Sequence, residues 1–97
     1  MEIVAERIYH ISTGDVTLKI FKPTFNSDVW QCGYEIIWPN KGKKTRLIDG
    51  LDSVESLLLT IKLANDFLDM IQRGDSEALE WQGGVGIGLD IEFDESG

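Results

Sequence analysis

The chain has 97 residues, 42% hydrophobic and 27% charged, with 17 acids against 9 bases and a formal net charge of −8. That composition suits one small domain with one modest core, is too apolar for disorder, and leaves little room for a second domain. No apolar run reaches the ~18 residues a membrane span needs, charge breaks up the first seven residues so that no signal peptide is expected, and the acidic balance disfavours nucleic acid and anionic membranes, which are bound through Lys and Arg.

Strands fill the first half. Residues 2–11 set Ile3, Ala5, Tyr9 and Ile11 against Glu6 and His10, with Val4 and Ile8 blurring the alternation. Ser12-Thr13-Gly14-Asp15 reads as a hairpin turn. Residues 16–22 place Val16, Leu18 and Ile20 on one face, and Pro23, which has no N–H to donate, stops the strand. Residues 24–28 read as a loop. Next, Trp30, Cys32, Tyr34, Ile36 and Trp38 share one strand face, Pro39-Asn40-Lys41-Gly42 is a turn by composition, and residues 43–48 return as a fourth strand. Tight turns between successive strands imply an antiparallel meander.

The period then changes. Val54, Leu57, Leu58, Ile61, Ala64, Leu68 and Ile71 recur at three and four, predicting an amphipathic helix over about 52–73. Asp52 is the expected N-cap and Glu55 closes a capping box; Arg73 suits the negative pole, and Gly74 can take the left-handed closing conformation. A second stripe, Leu59, Leu63, Phe67 and Met70, widens the apolar arc. Finally Val85, Ile87, Leu89, Ile91 and Phe93 alternate with Gly84, Gly86, Gly88, Asp90, Glu92 and Asp94, predicting a half-buried strand over 85–93. The expected fold is α+β: a two-layer sandwich, a mostly antiparallel sheet of about five strands with one long helix on one face.

The chemistry-bearing motifs are sparse. The run Gly83-Gly84-Val85-Gly86-Ile87-Gly88 has neither G-x-G-x-x-G spacing nor a following helix to offer N–H groups to phosphate; its bare face instead lets a backbone or an aromatic ring, such as Trp81, approach closely. The only thiol, Cys32, and the only imidazole, His10, fall on opposite sheet faces, so no nucleophile–base pair is expected. Asp90, Glu92 and Asp94 share a strand face but lack the loop that wraps calcium, and one His with one Cys is too few for zinc. No cofactor or metal is expected. The basic run Lys41, Lys43, Lys44 and Arg46 reads as a charged edge that resists sheet-to-sheet aggregation. The lone cysteine excludes an internal disulfide and, with no export signal, points to a cytoplasmic protein.

After Arg73 there is no base, while Asp75, Glu77, Glu80, Asp90, Glu92, Asp94 and Glu95 follow. Such a field steers a basic protein partner. The expected contact residues are Asp90, Glu92, Asp94 and Glu95, with Trp81 as an anchor. A small-molecule-binding domain or enzyme, with a pocket between helix and sheet lined by Trp30, Tyr34 and Trp38, is the alternative. A homodimer is the third reading, through an open sheet face bearing Val4, Ile8, Phe21, Val29 and Ile37.

At Ile48-Asp49-Gly50-Leu51-Asp52-Ser53-Val54-Glu55-Ser56-Leu57-Leu58-Leu59, and again at Leu79-Glu80-Trp81-Gln82-Gly83-Gly84, the chain resembles a family of small, functionally uncharacterised bacterial proteins. The resemblance implies four leading strands, a long helix and a glycine-rich closing segment, and carries no catalytic or ligand residues. In size, acidity and architecture the chain is also similar to immunity proteins that neutralise bacterial toxins, a likeness of class that implies a basic protein partner.

Overall fold

The computed structural model describes residues 1–39, 42–75, 79–81 and 84–89. The strands are β1 (Ile3–Ile11), β2 (Gly14–Phe21), β3 (Thr24–Asn26), β4 (Val29–Trp38), β5 (Gly42–Gly50), β6 (Glu80–Trp81) and β7 (Gly84–Val85); the helix α1 is Ser53–Asp75. All pairings are antiparallel. Pro23 interrupts the second strand without ending it: β2 and β3 both pair with β4, so the sheet runs β5, β4, β2 with β3, β1, β6, β7, about six strands across. Residues 24–26, expected as a loop, are therefore strand. Ser27 and Asp28, with φ of 50° and 72°, make the tight turn into β4, a left-handed pair whose twist suits a two-residue hairpin.

The register sorts side chains between the faces. Ala5, Arg7 and Tyr9 on β1 stand opposite Ile20, Leu18 and Val16 on β2, and Leu18 and Ile20 opposite Ile36 and Tyr34 on β4. These residues face the helix. An irregularity between Ile3 and Ala5 breaks the alternation, so Ile3 pairs with Phe21 on the opposite face rather than joining Ala5.

Asp52 caps the helix as the sequence predicts, while Glu55 reaches past it to the residue before rather than to Asp52's own N–H. The Glu55 N–H donates to Asp52 Oδ1 at 2.7 Å, and Glu55 Oε1 accepts from the Leu51 N–H at 3.1 Å. Its C-terminus differs: Gly74 stays helical and the helix runs on to Asp75. The buried stripe also differs. Ser56, Thr60, Ala64 and Leu68, four apart, are fully buried, whereas Val54 and Leu58 are 63% and 60% exposed. The reason is close approach. A Cβ on Gly50 would stand 2.5 Å from the Ser56 backbone nitrogen, so the helix lies against the end of β5 and admits only small side chains there. The buried hydroxyls are satisfied within the helix, Ser56 Oγ donating to Ser53 O at 3.0 Å and Thr60 Oγ1 to Ser56 O at 2.7 Å. From there α1 runs back along β4. The core joins Tyr9, Val16, Leu18, Ile20, Cys32, Tyr34, Ile36, Ile48, Ala64, Leu68 and Leu79. No described helix is long and apolar enough to cross a membrane.

Candidate functional site: an uncovered sheet face and a groove beside the helix

The helix packs over β4 and β5 on one side of the sheet. Among the described residues nothing packs over the other side. Three rows cross that face. Ile8, Thr17, Ile37 and Lys43 stand in one register; Glu6, Lys19, Glu35 and Thr45 in the next. The third is Ile3 beside Phe21, then Gly33 beside Leu47. Gly33 makes the third row possible, because a Cβ there would meet Leu47 Cδ2 at 2.9 Å and Phe21 Cδ2 at 3.2 Å. A row holding Ile8 and Ile37 and a row holding Ile3, Phe21 and Leu47 thus flank the charges of Glu6, Lys19 and Glu35. Ile3 (45%), Val4 (51%), Ile8 (42%) and Leu47 (43%) remain exposed, while Phe21 is buried among its neighbours. Of the residues expected on this face, Val29 and Ile37 are half-buried.

On the helix side, α1 leaves β1 and β2 partly uncovered. A cavity of about 160 Å³ opens there, lined by Ala5, Glu6, Arg7, Leu18, Ile20, Ile61 and Leu89. Helical spacing puts exposed Val54 and Leu58 on the same flank as Ile61. The cavity is therefore a groove between helix and sheet, but none of Trp30, Tyr34 and Trp38 lines it. Phe67 fills the space beside two of them, with ring centroids 6.5 Å from Tyr34 and 5.5 Å from Trp38, and Trp30 meets Phe25 at 5.7 Å.

The far wall of the groove is the segment after β7. The predicted strand over 85–93 is not continuous: Gly84–Val85 is strand, and residues 86–89 are not, with Gly86 and Gly88 at φ of 100° and 70°. Side chains replace the missing ladder. Arg7 Nη1 donates to the Ile87 and Gly88 carbonyls at 3.3 and 2.9 Å, and Tyr9 Oη donates to Ile87 O at 2.6 Å. The Arg7 guanidinium lies 3.8 Å over the Trp81 ring. Gly88 rests on that indole, since a Cβ would come within 2.5 Å of Trp81 Cζ2, which is the close aromatic approach the glycine run implies. Trp81 Nε1 is buried without a hydrogen-bond partner among the described residues. Sequence reasoning missed Arg7. The available signal was its place between Ala5 and Tyr9 in the inward-facing series, where a charge needs a dedicated partner.

Asp90, Glu92, Asp94, Glu95, the remainder of the predicted last strand and Lys41 lie outside the described residues. His10 and Cys32 are on opposite faces, as expected: His10 is exposed with Nδ1 2.8 Å from Asp15 Oδ1, and Cys32 is buried with Sγ donating to Phe21 O at 3.1 Å. Burial raises the Tyr9 hydroxyl above the usual tyrosine range, opposed by Arg7. It raises Tyr34 likewise, opposed by Arg46. Both phenols are thus held neutral, suited to hydrogen bonding rather than proton transfer near neutral pH.

A family model, Domain of unknown function (DUF6968), matches residues 5–91 of the chain. No curated protein and no solved structure matches it.

Proposed function

The chain belongs to that uncharacterised family, and we propose that it is a non-enzymatic protein-interaction domain whose partner docks on the uncovered sheet face. The observation that carries this reading is the exposed apolar side chains there, Ile3, Ile8 and Leu47, each more than two-fifths exposed. Charge indicates the partner. Two copies at −8 each repel, whereas a basic protein is drawn in. The finer form of the reading is an immunity-type antidote of bacterial origin that masks a basic target. The absence of any base after Arg73 supports it. In that form Asp90, Glu92, Asp94 and Glu95 are the proposed contacts in place of the uncovered face, and Trp81, already engaged by Arg7 and Gly88, serves by holding the segment that leads to them.

The test uses the purified chain as bait for proteins of its own host, beside an Ile8→Glu/Leu47→Glu variant that keeps its thermal melt. A basic partner should be retained at low salt by the unsubstituted chain and lost both at high salt and by the variant. Identical recovery by both, or none by either, refutes the reading. A dimer that strengthens with salt and disappears in the variant would reassign the face to a second copy of the chain. The groove favours a small-molecule reading as the alternative, with an apolar ligand under Arg7. A metabolite screen that raises the melting temperature, an effect lost in Ile61→Glu, would support it.

A further inference from the structure

The fold leaves one long strand at the sheet's border. Among the described residues β5 pairs only with β4. Its other edge therefore offers backbone N–H and C=O groups along nine residues. Edges of this kind are usually shortened, bulged, broken by proline or guarded by charge, and here charge alone, on Lys43, Lys44 and Arg46, guards the edge against uncharged or basic strands. Here the register with β4 is unbroken from Trp30 opposite Gly50 to Trp38 opposite Gly42, and no proline occurs between Gly42 and Gly50. Residues 42–47 are all exposed. The main chain is a ready template for one more strand.

Charge decides which strand it accepts. Lys43, Lys44 and Arg46 fall within four consecutive positions. Lys44 and Arg46 stand opposite Ile36 and Tyr34, on the helix side of the sheet; Lys43 stands opposite Ile37, on the uncovered side. Neither lysine forms an ion pair among the described residues. A second copy adding its own β5 antiparallel over its full length would set Arg46 against Arg46 and Lys44 against Ile48, leaving only Lys43 opposite a carboxylate, Asp49. An added strand places side chains two apart on one face, so carboxylates at alternate positions meet Lys44 and Arg46 together.

We propose that the free edge of β5 is a strand-addition site for an extended acidic segment of another protein, carrying Asp or Glu at alternate positions. The edge adjoins the uncovered face, which holds Lys43 and Leu47, but the free main-chain groups with Lys44 and Arg46 lie off that face, so loss of one reading leaves the other standing.

The probe is a fluorescein-labelled heptapeptide of alternating glutamate and threonine, followed by anisotropy and by amide chemical shifts of the full chain. It should bind at low salt, with the shifted amides concentrated in residues 42–50. Affinity should fall about tenfold as salt rises and the Debye length shortens from roughly 20 to roughly 8 Å. The Lys43→Glu/Lys44→Glu variant should melt like the parent and lose binding. The same peptide carrying alternate N-methyl groups keeps its charge but cannot extend the ladder, and should lose at least about tenfold. Equal binding by the N-methylated peptide, shifts mapping away from β5, or no binding at low salt overturns the proposal. So does concentration-dependent self-association abolished by the lysine variant, which would make the occupant a second copy.

Discussion

Replacing Leu58 and Leu68 by alanine, one at a time, tests the seating of the helix. Both belong to the same apolar stripe in the sequence, yet Leu68 is fully buried and Leu58 is 60% exposed. Truncating Leu68 removes buried methyl groups and leaves a cavity in the core, a loss of about 3–5 kcal/mol. For a domain of this size that is a third or more of a typical total stability, and a fall of roughly 12–25 °C in Tm. Leu58 has only two-fifths of its surface to lose. At ~2 kcal/mol for full burial its truncation costs under about 1 kcal/mol, with no cavity because solvent occupies the space. The assay is urea unfolding followed by tryptophan fluorescence, with the parent's slope imposed on both variants. Equal midpoints, or a larger loss at position 58, would mean the helix presents a different face to the sheet and would refute the Ser56–Thr60–Ala64–Leu68 seating.

Further outcomes follow from local geometry. Asp52→Ala removes the acceptor of the 2.7 Å bond from the Glu55 N–H and should cost about 1 kcal/mol in the same unfolding assay, whereas Asp52→Asn should cost far less. Gly88→Ala adds a methyl group where the indole of Trp81 already lies, at a φ of +70°; it should shift the tryptophan emission and speed amide exchange at residues 87–89, while Gly42→Ala, with open space around it, should leave that segment unchanged. Because burial raises the Tyr9 and Tyr34 phenols in the folded state, the unfolded chain ionises first at alkaline pH. Stability should therefore hold below about pH 10, the ordinary tyrosine value, and fall as pH rises beyond it; absorbance at alkaline pH should show both phenols ionising together with unfolding, and free ionisation in the folded chain would contradict their burial. Cys32, buried against Phe21 O, should react with a thiol reagent at the rate of unfolding, and a fast phase in the native protein would contradict its place in the core.

What the sequence determined by itself is what depends on neighbours in the chain. Period-two alternation marks β1, β2 and β4, and the turn at residues 12–13 joins the first pair. The Asp52–Glu55 cap starts the helix where the pattern predicts, because capping involves residues three apart. The opposite placement of His10 and Cys32 follows from counting along two strands. Tertiary structure decided the rest, through contacts that no local pattern encodes. An apolar arc that includes Leu57, Leu59, Leu63 and Phe67 as well as Leu58 leaves the helix's rotation open; the close approach of Gly50 to Ser56 selects the stripe of small residues and turns Val54 and Leu58 outward. An irregularity near Val4 sends Ile3 to the uncovered face. The glycine-rich segment alternates as a strand does, yet Arg7 and Tyr9, some eighty residues earlier, capture its carbonyls and hold residues 87–89 across the groove. Alternation fixes which side chains share a side of an extended chain; whether that chain joins a ladder depends on which distant donors reach its carbonyls first.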